Sequence, residues 1–142
     1  MEILPTVAIG INLYVVPTSE GGRETPLLAG SAVKIRFRYR PNWGLPGWAD
    51  GEQAGAPVLG FSREDIHPGE TVRAVIAPFY FEGVPAWRDV APGDELRMYE
   101  GPRICGRGTV IWVQHSTWPM AEEDQERFTR WLESGTDVSA AI

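Results

Sequence analysis

The sequence predicts an all-β protein, an antiparallel sandwich or barrel finished by one helix. Three observations carry that prediction. Sixteen Gly and 12 Pro in 142 residues cut the chain into short runs. Those runs are β-branched or alternate apolar with polar, which is the chemistry of half-buried strands. Only near the end does the apolar spacing lengthen to that of a helix. A chain of this length makes one domain, and 43% hydrophobic content with 6 Trp, 5 Phe and 4 Tyr gives it a core and excludes disorder.

In order, residues 7–16 (Val-Ala-Ile-Gly-Ile-Asn-Leu-Tyr-Val-Val) form the first apolar strand, closed by Gly21-Gly22. Lys34 to Arg40 alternates strictly, with Lys34, Arg36, Arg38 and Arg40 on one face and Ile35, Phe37 and Tyr39 on the other. Pro41-Asn42, Pro46-Gly47 and Asp50-Gly51 then mark turns. Pro68-Gly69-Glu70 leads into a strand over 71–77, and Pro92-Gly93-Asp94 leads into another over 95–99. A further strand covers 109–113. Thr117 offers a capping hydroxyl, Pro119 follows, and Glu122, Glu123 and Asp124 fill the first turn of an amphipathic helix. Phe128, Trp131 and Leu132 make its apolar stripe, which must cover either the sheet or a second chain, and Gly135 stops it.

The net charge of −6 is uneven: residues 1–115 carry 11 basic and 13 acidic groups, and residues 116–142 carry 2 and 6. Such a chain does not attract nucleic acid over its whole surface, but the nearly neutral part leaves room for a local cationic patch. The single Cys105 excludes an internal disulfide and a Cys-rich metal site. No apolar run has membrane-helix length, and the first residues lack the pattern of a secretory signal. The expectation is a soluble cytoplasmic protein without metal or cofactor.

Two groups of residues are candidates for contact. The cations Lys34, Arg36, Arg38 and Arg40 repeat about every 7 Å, near the spacing of successive phosphates, with Tyr39, Trp43 and Trp48 close by to stack. The same cations also suit the solvated face of an ordinary strand. Trp43, Trp48 and Trp87 lie in Gly/Pro-rich segments, where they serve as interface anchors or as plugs for the ends of the sheet. His67, His115 and Cys105 fall in no metal or nucleophile pattern, and no catalytic constellation assembles.

Three blocks, in order, resemble the C-terminal β-barrel (third) domain of the elongation factor Tu family. They are Glu20-Gly21-Gly22-Arg23-Glu24-Thr25-Pro26-Leu27-Leu28-Ala29-Gly30, then Ile66-His67-Pro68-Gly69-Glu70-Thr71-Val72, and finally 96–110 (Leu-Arg-Met-Tyr-Glu-Gly-Pro-Arg-Ile-Cys-Gly-Arg-Gly-Thr-Val). The likeness implies a closed antiparallel barrel of six or so strands over residues 1–115, with residues 116–142 as an added helix and tail. Residues 78–94 exceed the family's corresponding connection, 43–57 is enlarged, and no phosphate-binding Gly-x-x-x-x-Gly-Lys loop occurs, so GTP hydrolysis does not reside here.

By resemblance, the surface facing tRNA maps to Arg23, Glu24, Lys34, Trp43, Ala77, Glu100 and Gly101. Arg23, Glu100 and Gly101 keep the family residue and Lys34 suits a phosphate, whereas Glu24 repels one and Ala77 removes a cation. The leading expectation is a non-catalytic binding module that contacts tRNA or a translation factor. The alternative is a regulatory protein-interaction role, immunity- or adaptor-like, that reuses the barrel without RNA. A third reading is a homodimer through the Phe128/Trp131/Leu132 stripe.

Overall fold

The computed structural model describes residues 2–22, 27–28, 39–135 and 138. Lys34, Arg36, Arg38 and Arg23, and with them the predicted strand before Arg40, lie outside the described residues. In chain order the strands are β1 (Leu4–Val15), β2 (Leu27–Leu28), β3 (Asn42–Gly44), β4 (Ala54–Gly55), β5 (Val58–Phe61), β6 (Asp65–Ile66), β7 (Thr71–Ile76), β8 (Glu95–Glu100) and β9 (Arg103–Trp118). One helix, α1 (Glu122–Ser134), ends the fold. Seven strands form one antiparallel sheet in the order β4-β3-β8-β9-β1-β7-β5, and β2 pairs with β6 separately.

The spine is the β1–β9 pair, running from Leu4 opposite Trp118 to Val15 opposite Gly106. Period-2 alternation sends the two faces of each strand to two cores. On β1, Val7, Ile9, Ile11, Leu13 and Val15 enter the larger core with Trp43, Leu96, Met98 and Cys105, while Ala8 enters the smaller one. On β7, Val72, Ala74 and Ile76 join the larger core and Val75 the smaller.

Helix α1 lies over the smaller core, with Phe128, Trp131 and Leu132 buried against Ala8, Leu59, Val75 and Ala77. The helix stripe is therefore taken up by its own sheet and is not open to a second chain. Trp112 stacks on Phe128 with ring centroids 5.1 Å apart and meets Trp131 edge-on at 5.2 Å. Its cross-strand partner is Gly10, and a Cβ there would collide with the indole, so the small residue makes the seat for the large one. Arg73 on β7 caps the far end of α1, donating from Nε to the Trp131 carbonyl at 3.0 Å and from Nη2 to that of Leu132 at 2.7 Å. Gly135 takes the expected left-handed cap at φ 72°.

Three expectations are corrected. Thr117 is not the helix cap: it belongs to β9, its hydroxyl donates to the Pro119 carbonyl, and α1 starts after Ala121 with no side-chain cap. Because β9 runs on to Trp118, the boundary expected at 115/116 falls inside a strand. The sheet is also open where a closed barrel was expected. Its edge strands β4 and β5 are joined by only Ala56-Pro57, so the sheet curls until its edges approach. Among the described residues, however, the seam is a single bridge, Tyr39 opposite Val58, beside a long Ala56 N–H to Pro41 carbonyl bond of 3.4 Å. Pro41 has no amide to return, and no ladder forms. No helix among the described residues is long and apolar enough to cross a membrane.

Candidate functional site

Two of the blocks that carry the resemblance meet at one end of the sheet: the described part of the first, residues 20–22, and the turn at 100–103 from the third. After β1, Val16 N–H donates to the Cys105 carbonyl at 3.0 Å, and the chain then winds through a 3-10 turn at Thr18–Glu20. The Pro17 carbonyl accepts the amides of Glu20 and Gly22 at 2.9 and 3.0 Å, closing the loop. Its two glycines have separate reasons: Gly21 sits at φ +89°, and a Cβ on Gly22 would strike the Val16 carbonyl.

The turn between β8 and β9 locks onto this loop. Arg103 Nη1 donates to the Gly22 carbonyl at 3.2 Å. Gln53 Nε2 donates to the Gly101 carbonyl at 3.0 Å, tying in the loop at 45–53. The Tyr39 hydroxyl donates to Glu100 Oε2 at 2.8 Å, with Cys105 Sγ 3.8 Å away. Burial pushes the Tyr39 phenol far above its usual range, and the neighbouring Cys105 and Glu100 add to the shift. The phenol therefore stays protonated and holds Glu100 as a donor.

Between these elements lies a cleft of about 310 Å³. Glu20, Asp50, Tyr99 and Arg107 supply its polar lining. Each already has a partner. Glu20 accepts from the Tyr14 hydroxyl at 2.9 Å, which raises the Tyr14 pKa, and Asp50 accepts from Arg97 at 2.9 Å. Arg107 pairs with Glu95 at 3.2 Å, and the Tyr99 hydroxyl accepts the Gly51 amide at 3.3 Å. Among the described residues the lining contains no Ser, Cys or His, and Cys105 is buried, donating to the Met98 carbonyl at 3.5 Å.

The remaining predicted site residues separate. Trp43 is wholly buried on β3, its indole N–H donating to the Ala56 carbonyl at 2.9 Å, so it is core and not an interface anchor. Trp87 is buried as well. Trp48 is half-buried against the larger core, and its carbonyl accepts Arg97 Nη2 at 2.9 Å. Ala77, another position carried by the resemblance, lies under α1. Arg40 is exposed, its guanidinium 5.9 Å from the Phe79 ring centroid.

Sequence reasoning missed the Phe79-Tyr80-Phe81 run, whose first two rings are exposed, Phe79 beside Arg40, while Phe81 packs against the larger core; three successive aromatics in one connection were the available signal. The chain matches no protein-family model and no curated protein, so the likeness to the elongation factor Tu barrel stands on the quoted sequence blocks alone.

Proposed function

We propose that the chain is a non-catalytic binding module, related to the C-terminal domain of elongation factor Tu, that contacts tRNA or a translation factor. Its contact surface is the end of the sheet where the loop at 17–22 meets the turn at 100–103. The observation that carries this reading is the pair of bonds Arg103 to Gly22 and Tyr39 to Glu100. They join segments far apart in sequence, and those segments carry or adjoin Arg23, Glu100, Gly101 and the cationic run ending at Arg40.

The test is a titration of labelled tRNA at low and at physiological salt. Saturable binding should weaken steeply with salt. Arg36→Ala with Arg38→Ala should lower the salt slope by about 2, one for each phosphate that is no longer neutralised. Arg23→Glu should weaken binding about tenfold or more. No binding even at low salt would overturn the tRNA contact and leave a protein partner, either a translation factor or the target of a regulatory role.

A further inference from the structure

The connection between β7 and β8 carries surface chemistry that the loop-and-turn end does not use. Its root is fixed by one carbonyl: Pro78 accepts both the Thr6 hydroxyl and the Trp118 indole N–H at 2.7 Å each. Phe79 then packs against Trp118 at 4.9 Å between centroids while remaining 39% exposed, and Tyr80 stands 78% exposed. The Tyr80 carbonyl accepts the amides of Gly83 and Val84 at 3.1 Å each, so the turn behind the ring is closed. Phe79 is thereby held against Trp118, and the backbone that carries Tyr80 is fixed.

One guanidinium lies beside them, Arg40 at 5.9 Å from the Phe79 centroid, and a second, Arg88, lies further along the same connection at 5.4 Å from the centroid of Phe81, which packs against the larger core. Most other described arginines are satisfied, by carboxylates on Glu70, Asp50, Glu95 and Asp124 or by main-chain carbonyls. Arg40 and Arg88 have neither kind of partner among the described residues, and each is placed by a ring. A ligand that fits must bring anionic groups together with a flat apolar surface. A nucleotide brings both: a base to stack and a phosphate to pair. In the sequence, Arg40 also ends the run Lys34, Arg36, Arg38, whose spacing suits successive phosphates.

We infer that the exposed Tyr80 ring, backed by Phe79, is a stacking platform for an unpaired base of an RNA strand whose phosphates reach Arg40 and Arg88. The inference rests on the binding role proposed above and adds to it a contact with an unpaired stretch.

The experiment measures binding of a short single-stranded oligoadenylate, and separately of folded tRNA, to the wild type, Tyr80→Ala, Tyr80→Phe and Arg40→Ala/Arg88→Ala. Tyr80→Ala should weaken the single strand about tenfold, as removal of one stacked base does, and Tyr80→Phe should restore it. The double Arg variant should weaken the single strand and flatten its salt dependence. Wild-type affinity for oligoadenylate in Tyr80→Ala, with tRNA binding intact, overturns the platform and leaves the proposed function standing. Oligoadenylate bound through Tyr80 without any tRNA binding keeps the platform and overturns the tRNA contact. Failure to bind either RNA overturns both.

Discussion

Replacing Gly10 by Ala reverses the sign that backbone propensity predicts. An interior strand glycine is about 0.5–1 kcal/mol worse than alanine, so the change should stabilise if only the strand mattered. Here the added methyl would fall within the Trp112 indole. The indole cannot retreat without giving up Phe128, which stacks on it at 5.1 Å, and Trp131, which meets it edge-on at 5.2 Å. Overpacking costs about 1–3 kcal/mol, and a methyl placed among three indole atoms belongs to the upper half of that range, leaving a net loss of about 1–2.5 kcal/mol after the propensity gain. With an unfolding entropy of about 0.3 kcal/mol/K for a chain of this length, the thermal midpoint should fall by about 3–8 °C. Thermal unfolding followed by near-ultraviolet circular dichroism reads that fall directly. A double-mutant cycle identifies its source, because in a Trp112→Leu background Gly10→Ala should be neutral or slightly stabilising. A midpoint that rises in the wild-type background would refute the reasoning, since the indole would then not occupy the space above Gly10.

Three further outcomes test the frame that holds the site. Arg73→Ala removes two charged donors from the last carbonyls of α1 at a partly solvated position, so stability should drop by about 2 kcal/mol, with the helical signal melting first; a loss below about 0.5 kcal/mol would mean that the apolar stripe alone holds the helix. Trp43→Ala should cost about 3–5 kcal/mol in denaturant unfolding as a core cavity, and a near-neutral result would return Trp43 to the surface. Glu70 accepts the His67 amide at 2.7 Å and Arg63 at 2.6 Å, which hold its carboxyl below the usual range, the amide bond contributing most. A lowered carboxyl stabilises above its unfolded value, about 4.3, and loses that contribution as pH falls through the folded value. The midpoint advantage of wild type over Glu70→Gln should therefore shrink below about pH 4, and an advantage constant down to about pH 2 would refute it.

What was legible in the sequence was local. Pro68-Gly69-Glu70 and Pro92-Gly93-Asp94 were readable as turns into strands because each closes within four residues: the acid accepts the amide three positions back, His67 for Glu70 and Ala91 for Asp94. The Phe128/Trp131/Leu132 stripe was readable for the same reason, since its spacing needs no partner to be recognised. The length of β9 was not, because Gly106, Gly108, Gln114, His115 and Ser116 have weak strand propensity and are drawn in by pairing with β1. Trp43 reads as a loop residue from Pro41-Asn42 and Gly44, yet three residues suffice for a short strand that buries it. Individual site residues could be named from the sequence, but their assembly could not. Arg103 and Gly22 lie 81 positions apart, and the pairing of β1 with β9, which sets Val15 opposite Gly106, brings them together.

The helix redistributes whatever surface the resemblance carries. Of the positions mapped to tRNA, Ala77 is under α1 and Trp43 is in the core, so neither side chain can touch a partner. Covering that face was compatible with folding only because Ala8, Gly10 and Ala77 leave depth for Trp112, Phe128 and Trp131. The small residues and the added aromatics thus form one coupled feature, and they remove the sheet's helix-covered face from use. Under the binding role proposed above, contact must then fall to elements that α1 leaves exposed: the 17–22 loop, the 100–103 turn and the Phe79–Tyr80 platform. The overlong 78–94 connection supplies that third element, and on this reasoning it compensates for the face the helix takes away.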